Sequence, residues 1–126
     1  MYLLDTNVLI NFFCAPQKLS SKVLRVLTTE KNIFVSIVSF WEIALKQSIG
    51  KLNISVSMTE LASLCQQRSI TIIGIKPEEL EKIKSLKRIH NDPFDRLLIA
   101  QTVENRMTFI TSDSKIKLYK IDVLEY

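Results

Sequence analysis

Apolar runs alternate with amphipathic stretches along the whole chain, without a linker, a low-complexity tract or a repeat. That is the pattern of one α/β domain spanning residues 1–126. Tyr2 to Leu4 predicts a first strand. A short helix over about Thr6 to Phe13 follows, ended by Pro16, and then a helix over about Ser20 to Thr29 with Val23, Leu24 and Leu27 on one face. Ile33 to Ser36 predicts the second strand. From Ser39 to Ile49, Phe40, Ile43, Ala44 and Leu45 form an apolar helical face, with Gly50 as its stop. Met58, Leu61, Ala62 and Cys65 mark another helix, and Ile70 to Ile73 is a β-branched run short enough for a buried strand. Gly74 turns the chain and Pro77 opens a helix bearing Leu80, Ile83 and Leu86. Asp92-Pro93-Phe94-Asp95 starts a helix running to about Asn105: Asp92 can cap free N–H groups, Pro93 suits the first turn, and an acid at Asp95 complements the positive end of the dipole. Thr108 to Thr111 predicts a strand and Ile121 to Leu124 a last edge strand, giving a mostly parallel sheet flanked by helices.

Length and composition narrow the options. A chain of 126 residues can bury one core without staples. Two glycines are too few for a glycine-rich phosphate loop. Cys14 and Cys65 sit among apolar neighbours at helical spacing, which predicts reduced core thiols and a cytoplasmic protein. The apolar runs fall short of the roughly 20 residues of a membrane span, and the start lacks the charged region of an export signal, so neither membrane anchoring nor secretion is expected. The net charge of +4 favours an anionic partner.

In an open parallel sheet the C-terminal ends of the strands and the N-terminal ends of the helices share one edge, where ligands bind. Asp5, Glu42, Asp95 and Asp113 all map there: Asp5 ends the first strand, Asp113 follows Thr108 to Thr111, and Glu42 and Asp95 lie in early helical turns. Singly, each has an ordinary role. Asp5 and Asp113 can cap helices, Glu42 can pair with Lys46, and Asp95 can be a first-turn acid. Together they repel and are costly to desolvate, which implies a cation or shared protons. Oxygen ligands select a hard cation, Mg²⁺ or Mn²⁺.

The chain resembles the PIN domain, and within it the VapC-like toxins of bacterial toxin-antitoxin pairs. The resemblance is carried by Leu3-Leu4-Asp5-Thr6-Asn7, by Ser39-Phe40-Trp41-Glu42-Ile43-Ala44 with Gly50-Lys51-Leu52 after it, by His90-Asn91-Asp92-Pro93-Phe94-Asp95-Arg96, and by Thr111-Ser112-Asp113. It implies a PIN-like three-layer sandwich and a Mg²⁺-dependent endoribonuclease, with Asp5, Glu42, Asp95 and Asp113 as the acidic quartet and Asp5 and Asp95 nearest the principal metal. Asn7 and Ser112 would orient the quartet. Asp92 suits a helix cap better than an outer role at the metal, and Arg96 is a candidate for phosphate contact or for pairing with an acid. The implied reaction is in-line hydrolysis of an RNA phosphodiester, leaving a 5′-phosphate and a 3′-hydroxyl, with no nucleophilic side chain.

The residues disfavour other chemistries. Metal-free cleavage through the 2′-hydroxyl usually wants two histidines, whereas His90 is alone and is expected to be a loop residue ahead of a helix. A haloacid-dehalogenase-type phosphatase would need an Asp where Asn7 stands, and a receiver domain would need adjacent acids after the first strand. Lys82, Lys84, Lys87 and Arg88 are the best candidates for holding RNA through its phosphates, although a merely solvated basic face accounts for them slightly better, and Lys115, Lys117 and Lys120 form a second candidate set. The resemblance also implies a cognate antitoxin and a homodimer. Phe12, Phe13 and Trp41 are candidates for such a partner surface, although Trp41 is expected in the core.

Overall fold

The computed structural model describes residues 1–119 and 121–125. In chain order the elements are β1 (Tyr2–Leu4), α1 (Thr6–Cys14), α2 (Ser21–Thr29), β2 (Ile33–Ser36), α3 (Ile37–Ser48), α4 (Met58–Gln67), β3 (Thr71–Ile73), α5 (Pro77–Ser85), α6 (Pro93–Glu104), β4 (Thr108–Thr111) and β5 (Val123–Glu125), with 3₁₀ turns at Pro16–Lys18 and Ser114–Tyr119. The five strands form one sheet in the order β3-β2-β1-β4-β5. Every pairing is parallel, with Leu3 beside Phe34 and Phe109 at its centre.

Strand alternation divides the core into two clusters, because neighbouring residues point to opposite faces of a sheet. Leu4, Val35 and Ile110 pack with Val8, Leu9 and Phe12 of α1, Val23 and Leu27 of α2, and Leu61 and Cys65 of α4. Leu3 and Phe109 pack on the other face with Leu97, Leu98 and Ile99 of α6 and with Ile116. Helix α3 serves both sides, with Phe40 and Ile43 in the first cluster and Val38 in the second. The result is the expected sandwich of helices, parallel sheet and helices.

Short polar residues fix the helix starts. Ser20 accepts from Val23 N–H, Ser36 from Val38 N–H, Ser57 from Glu60 N–H, and Asp92 from the N–H groups of Phe94 and Asp95. Helix α3 begins at Ile37, two residues before the expected start, because Ser36 at the end of β2 is already its cap. Gly50 stands at φ 72° just beyond that helix, a conformation that suits a residue without Cβ. Helix α5 docks on α6 through Glu79, whose buried carboxylate accepts from Lys76 N–H, from Gln101 Nε2 and from Asn105 Nδ2.

Two expectations about burial are corrected. Trp41, expected in the core, is 57% exposed; Leu80 of α5 faces solvent as well. Cys14 is exposed while Cys65 is buried, and both are free thiols. No helix among the described residues is long and apolar enough to cross a membrane.

Candidate metal centre

The acids converge where β1 and β4 end and α1, α3 and α6 begin. Asp5 leaves β1 and caps α1, its Oδ1 accepting from Thr6 N–H at 2.7 Å. Its Oδ2 accepts from the Thr111 hydroxyl at 2.7 Å, a bond that ties the ends of β1 and β4 together. Glu42, in the second turn of α3, accepts from Thr6 Oγ1 at 2.7 Å and from Lys46 Nζ at 2.7 Å. Thr6 Oγ1 also lies 2.9 Å from Ser39 Oγ. Asp95 occupies the first turn of α6. Asp113 lies beyond β4, with its N–H donating to Thr111 Oγ1 and its Oδ1 accepting from Lys115 N–H.

The electrostatics of the four acids are those of negative groups held together and partly dehydrated. Burial pushes the Asp95 carboxyl up to about 7, and the charges of Asp5, Asp92, Glu42 and Asp113 push the same way. Burial also raises Asp5, reinforced by Glu42 and Asp113; the Thr111 and Thr6 hydrogen bonds oppose the rise by favouring its ionised form. Glu42 carries its own counter-ion in Lys46, whose ammonium is stabilised chiefly by that hydrogen bond. Among the described residues neither Asp5 nor Asp95 has a lysine or arginine in ion-pair contact. Oxygen donors left in this condition fit a divalent cation, which would relieve the mutual repulsion that raises Asp95.

His90 belongs to the same place, contrary to the expectation of a bystander in a loop. Ligand atoms of His90, Asp95 and Asp113 all lie within 4.8 Å of one another. His90 Nε2 is buried and 3.1 Å from Asp113 Oδ2, yet the two lack the alignment of a hydrogen bond. Asp5, expected beside Asp95 nearest the metal, is not in that tight group. The sequence offered one signal for His90, its place two residues before the Asp92 cap; the fold that brings this segment against Asp113 was not legible.

Neighbouring residues take over the orienting roles expected of Asn7 and Ser112. Both of those are exposed, whereas the buried Thr6 and Thr111, one position earlier in each motif, carry the hydroxyls that hold Glu42 and Asp5. Asp92 acts as the cap of α6. The Arg96 guanidinium donates to the carbonyls of Ile83, Leu86, Lys87 and His90, bracing the segment that carries His90, and among the described residues it forms no ion pair with an acid.

Of the basic residues, Lys87 and Arg88 are exposed on that braced segment, Lys84 pairs with Glu81, and Lys82 borders a cavity with Tyr119 and Asp122. Lys115 and Lys117 are exposed on the 3₁₀ turn after Asp113, and Lys120 lies outside the described residues. A cavity of about 380 Å³ adjoins Glu42, lined by Thr6, Asn7, Ile10, Ile43, Lys46, Lys51 and Leu52. A cavity of about 600 Å³ lies along α4 and β3, and none of its lining residues is acidic. Phe12 is buried and Phe13 half-buried, while Trp41 packs edge-on against Phe94 with its ring centroid 4.7 Å away. Ile37, Trp41, Leu45 and Ile49, each four residues from the last, form an exposed apolar stripe along α3.

Comparison with known proteins accords with this geometry. The PIN domain family model matches residues 2–123. No curated protein matches the chain. Solved structures with the same fold include VapBC2 from Rickettsia felis bound to a DNA fragment from its promoter, at 16% identity and TM-score 0.75, covering 98% of this chain and 97% of that one. FitAcB from Neisseria gonorrhoeae matches at 17% identity and TM-score 0.68, covering 99% and 97%. A toxin-antitoxin complex from Klebsiella pneumoniae matches at 19% identity and TM-score 0.66, covering 98% and 96%.

Proposed function

Because this chain belongs to the PIN domain family, we propose that it is a divalent-metal-dependent endoribonuclease, the toxin of a toxin-antitoxin pair, acting in the cytoplasm as one domain over residues 1–126. The observation that carries the reading is the convergence of Asp5, Asp95 and Asp113 beside the Lys46-paired Glu42: burial and the neighbouring acids push Asp95 up to about 7, and among the described residues neither Asp5 nor Asp95 has a lysine or arginine in ion-pair contact. A purely structural set of surface acids would be solvated or paired.

Asp5, Asp95 and Asp113 would hold the cation, with Glu42 joining by exchanging Lys46. When bound, Mg²⁺ or Mn²⁺ would polarise the scissile phosphate and lower the pKa of an attacking water. The chain's own residues set up that chemistry. The Thr111 and Thr6 hydrogen bonds favour the ionised form of Asp5 against its burial and aim it, and Asp95 is the group that must lose its proton as a cation arrives. Lys46 and Lys51 beside the 380 Å³ cavity can receive a phosphate flanking the scissile one. Lys87 and Arg88, with Lys82 and Lys84 farther along α5, would guide the RNA backbone, while Arg96 supports them through the main chain. Neutral core residues supply no competing nucleophile: burial pushes the Cys65 thiol up to about 11.

Trp41 and the stripe around it are the surface we assign to a protein partner, an antitoxin segment or a second copy, because an apolar row of this kind is costly to leave in water. Phe12 and Phe13 would contribute only at the margin of such an interface, given their burial.

The decisive experiment incubates the purified chain with structured RNAs in Mg²⁺, in Mn²⁺ and in chelator, beside Asp5→Asn. Cleavage is expected only with metal and only with Asp5 intact. Cleavage that persists in chelator and in the variant refutes the metal-nuclease reading, and RNA binding without cleavage under every condition would make the chain a binding module.

A further inference from the structure

The histidine beside the acids has a property that a loop residue would not need. His90 is held at its main chain and at its ring: its main-chain N–H donates to Tyr119 Oη at 2.6 Å, its carbonyl accepts from Arg96 Nη1 at 3.3 Å, and its ring lies nearly parallel to that of Tyr119, with centroids 6.1 Å apart and planes 11° from parallel. Nε2 is buried, without a hydrogen bond, and 3.1 Å from Asp113 Oδ2, and a ring nitrogen of His90 has ligand oxygens of both Asp95 and Asp113 within 4.8 Å. A plain histidine–aspartate pair would align its N–H on the carboxylate, because a nitrogen 3.1 Å from an oxygen gains most when the bond is straight. Here it does not.

The spacing suits a shared ion. Ligand atoms around an octahedral cation at about 2.1 Å stand roughly 3 Å apart when adjacent and roughly 4 Å when opposite; His90 Nε2 and Asp113 Oδ2, 3.1 Å apart, already have the adjacent spacing, and donors within 4.8 Å of one another need to close by at most about 2 Å to bind together. We propose that His90 Nε2 is a ligand of the metal centre together with Asp95 and Asp113, and that this nitrogen makes the centre prefer a first-row transition cation such as Mn²⁺ over Mg²⁺. The inference rests on the metal-dependent reading above and refines it. Carboxylates alone suit Mg²⁺, which demands near-ideal oxygen coordination and dehydrates reluctantly; an imidazole adds affinity that rises along the transition series and offers Mg²⁺ little. Tyr119 and Arg96 then act as positioning residues, fixing the ring so that the nitrogen is presented rather than free to rotate.

The test reads binding rather than cleavage. Mn²⁺ is added to tag-free protein and examined by pulsed electron paramagnetic resonance. Because His90 is the chain's single histidine, histidine-specific ¹⁵N labelling reports on this ring without any substitution. Imidazole nitrogen coupling to bound Mn²⁺, altered by the label, is expected. Titration of Mn²⁺ and of Mg²⁺ into wild type and His90→Gln should show Mn²⁺ affinity falling about tenfold or more in the variant, at least the loss that removing an outer partner of a ligand brings, with Mg²⁺ affinity changing far less. Mn²⁺ bound without nitrogen coupling overturns this inference and leaves the metal-nuclease reading standing. Equal loss of both ions in a folded variant overturns the selectivity claim in the same way. Absence of any Mn²⁺ binding at millimolar concentration overturns both.

Discussion

Asp95→Asn should make the metal-free protein more stable while abolishing cleavage. A carboxyl raised from 3.8 to about 7 holds its proton more tightly folded than unfolded, so folding stability is greatest below the unfolded value and declines as pH climbs from about 4 through 7. Above that window the whole cost is present. Carrying the group over this range corresponds to about 4 kcal/mol, and since Asp95 is only half-buried, solvent screening brings the realised figure to about 1–2 kcal/mol. Asparagine keeps the shape without the charge, so for a chain of 126 residues the melting temperature at pH 8 in chelator should rise by roughly 4–8 °C. At pH 4 the gap should shrink to about 2 °C, because the folded wild-type carboxyl is then protonated and only partial ionisation of the unfolded chain still favours the variant. Millimolar Mn²⁺ should stabilise the wild type and narrow the gap at pH 8, since the cation binds only the folded form. Calorimetry at both pH values, with and without metal, measures all of this. A variant that melts lower than wild type at pH 8, or one whose advantage is the same at pH 4, would show that Asp95 is not held against its own charge, and the electrostatic basis of the proposed centre would fail.

Other predictions address the supports of the site. Thr111→Val removes the hydroxyl that donates to Asp5 Oδ2, so Asp5 should protonate more readily and the acid limb of the pH–rate profile should move up by about one pH unit, the equivalent of a ~1.5 kcal/mol hydrogen bond to a charged group. Arg96→Ala releases the carbonyls of residues 83, 86, 87 and 90; amide exchange should accelerate across 86–91, stability should fall by about 1–3 kcal/mol, and Arg96→Lys should not restore it, because an ammonium lacks the planar fork. The double variant Lys87→Ala, Arg88→Ala, assayed for single-stranded RNA binding in a catalytically inactive background, should lower the slope of log affinity against log salt by about 1.4. An unchanged slope would remove both residues from the RNA path.

The parallel sheet, nearly every helix and the convergence of Asp5, Glu42, Asp95 and Asp113 on one edge follow from local pattern. Short apolar runs, a Ser or Asp at five of the six helix starts, and the rule that ligands meet parallel sheets at their C-terminal edge are properties of neighbouring residues or of topology, and both can be read along a chain; the run expected as a buried strand, Ile70 to Ile73, instead forms the half-exposed edge strand β3, which only the sheet order decides. What could not be read was the direction and company of individual side chains. Thr6 and Thr111 hold the acids in place of Asn7 and Ser112 because pleat and helix phase turn them inward, a difference of one residue that a motif does not record. Trp41 and Leu80 lie in amphipathic sequence yet face solvent, since which side of a helix is covered depends on elements distant in the chain. His90 changes its meaning most: along the chain it is a lone polar residue before a cap, and only the packing of Tyr119, the brace of Arg96 and the return of Asp113 at the end of β4 turn its nitrogen into part of a charged centre. Residue type and spacing set what chemistry was available, whereas the long-range contacts set which atoms share it, because a ligand set is a matter of a few ångströms that sequence separation does not fix.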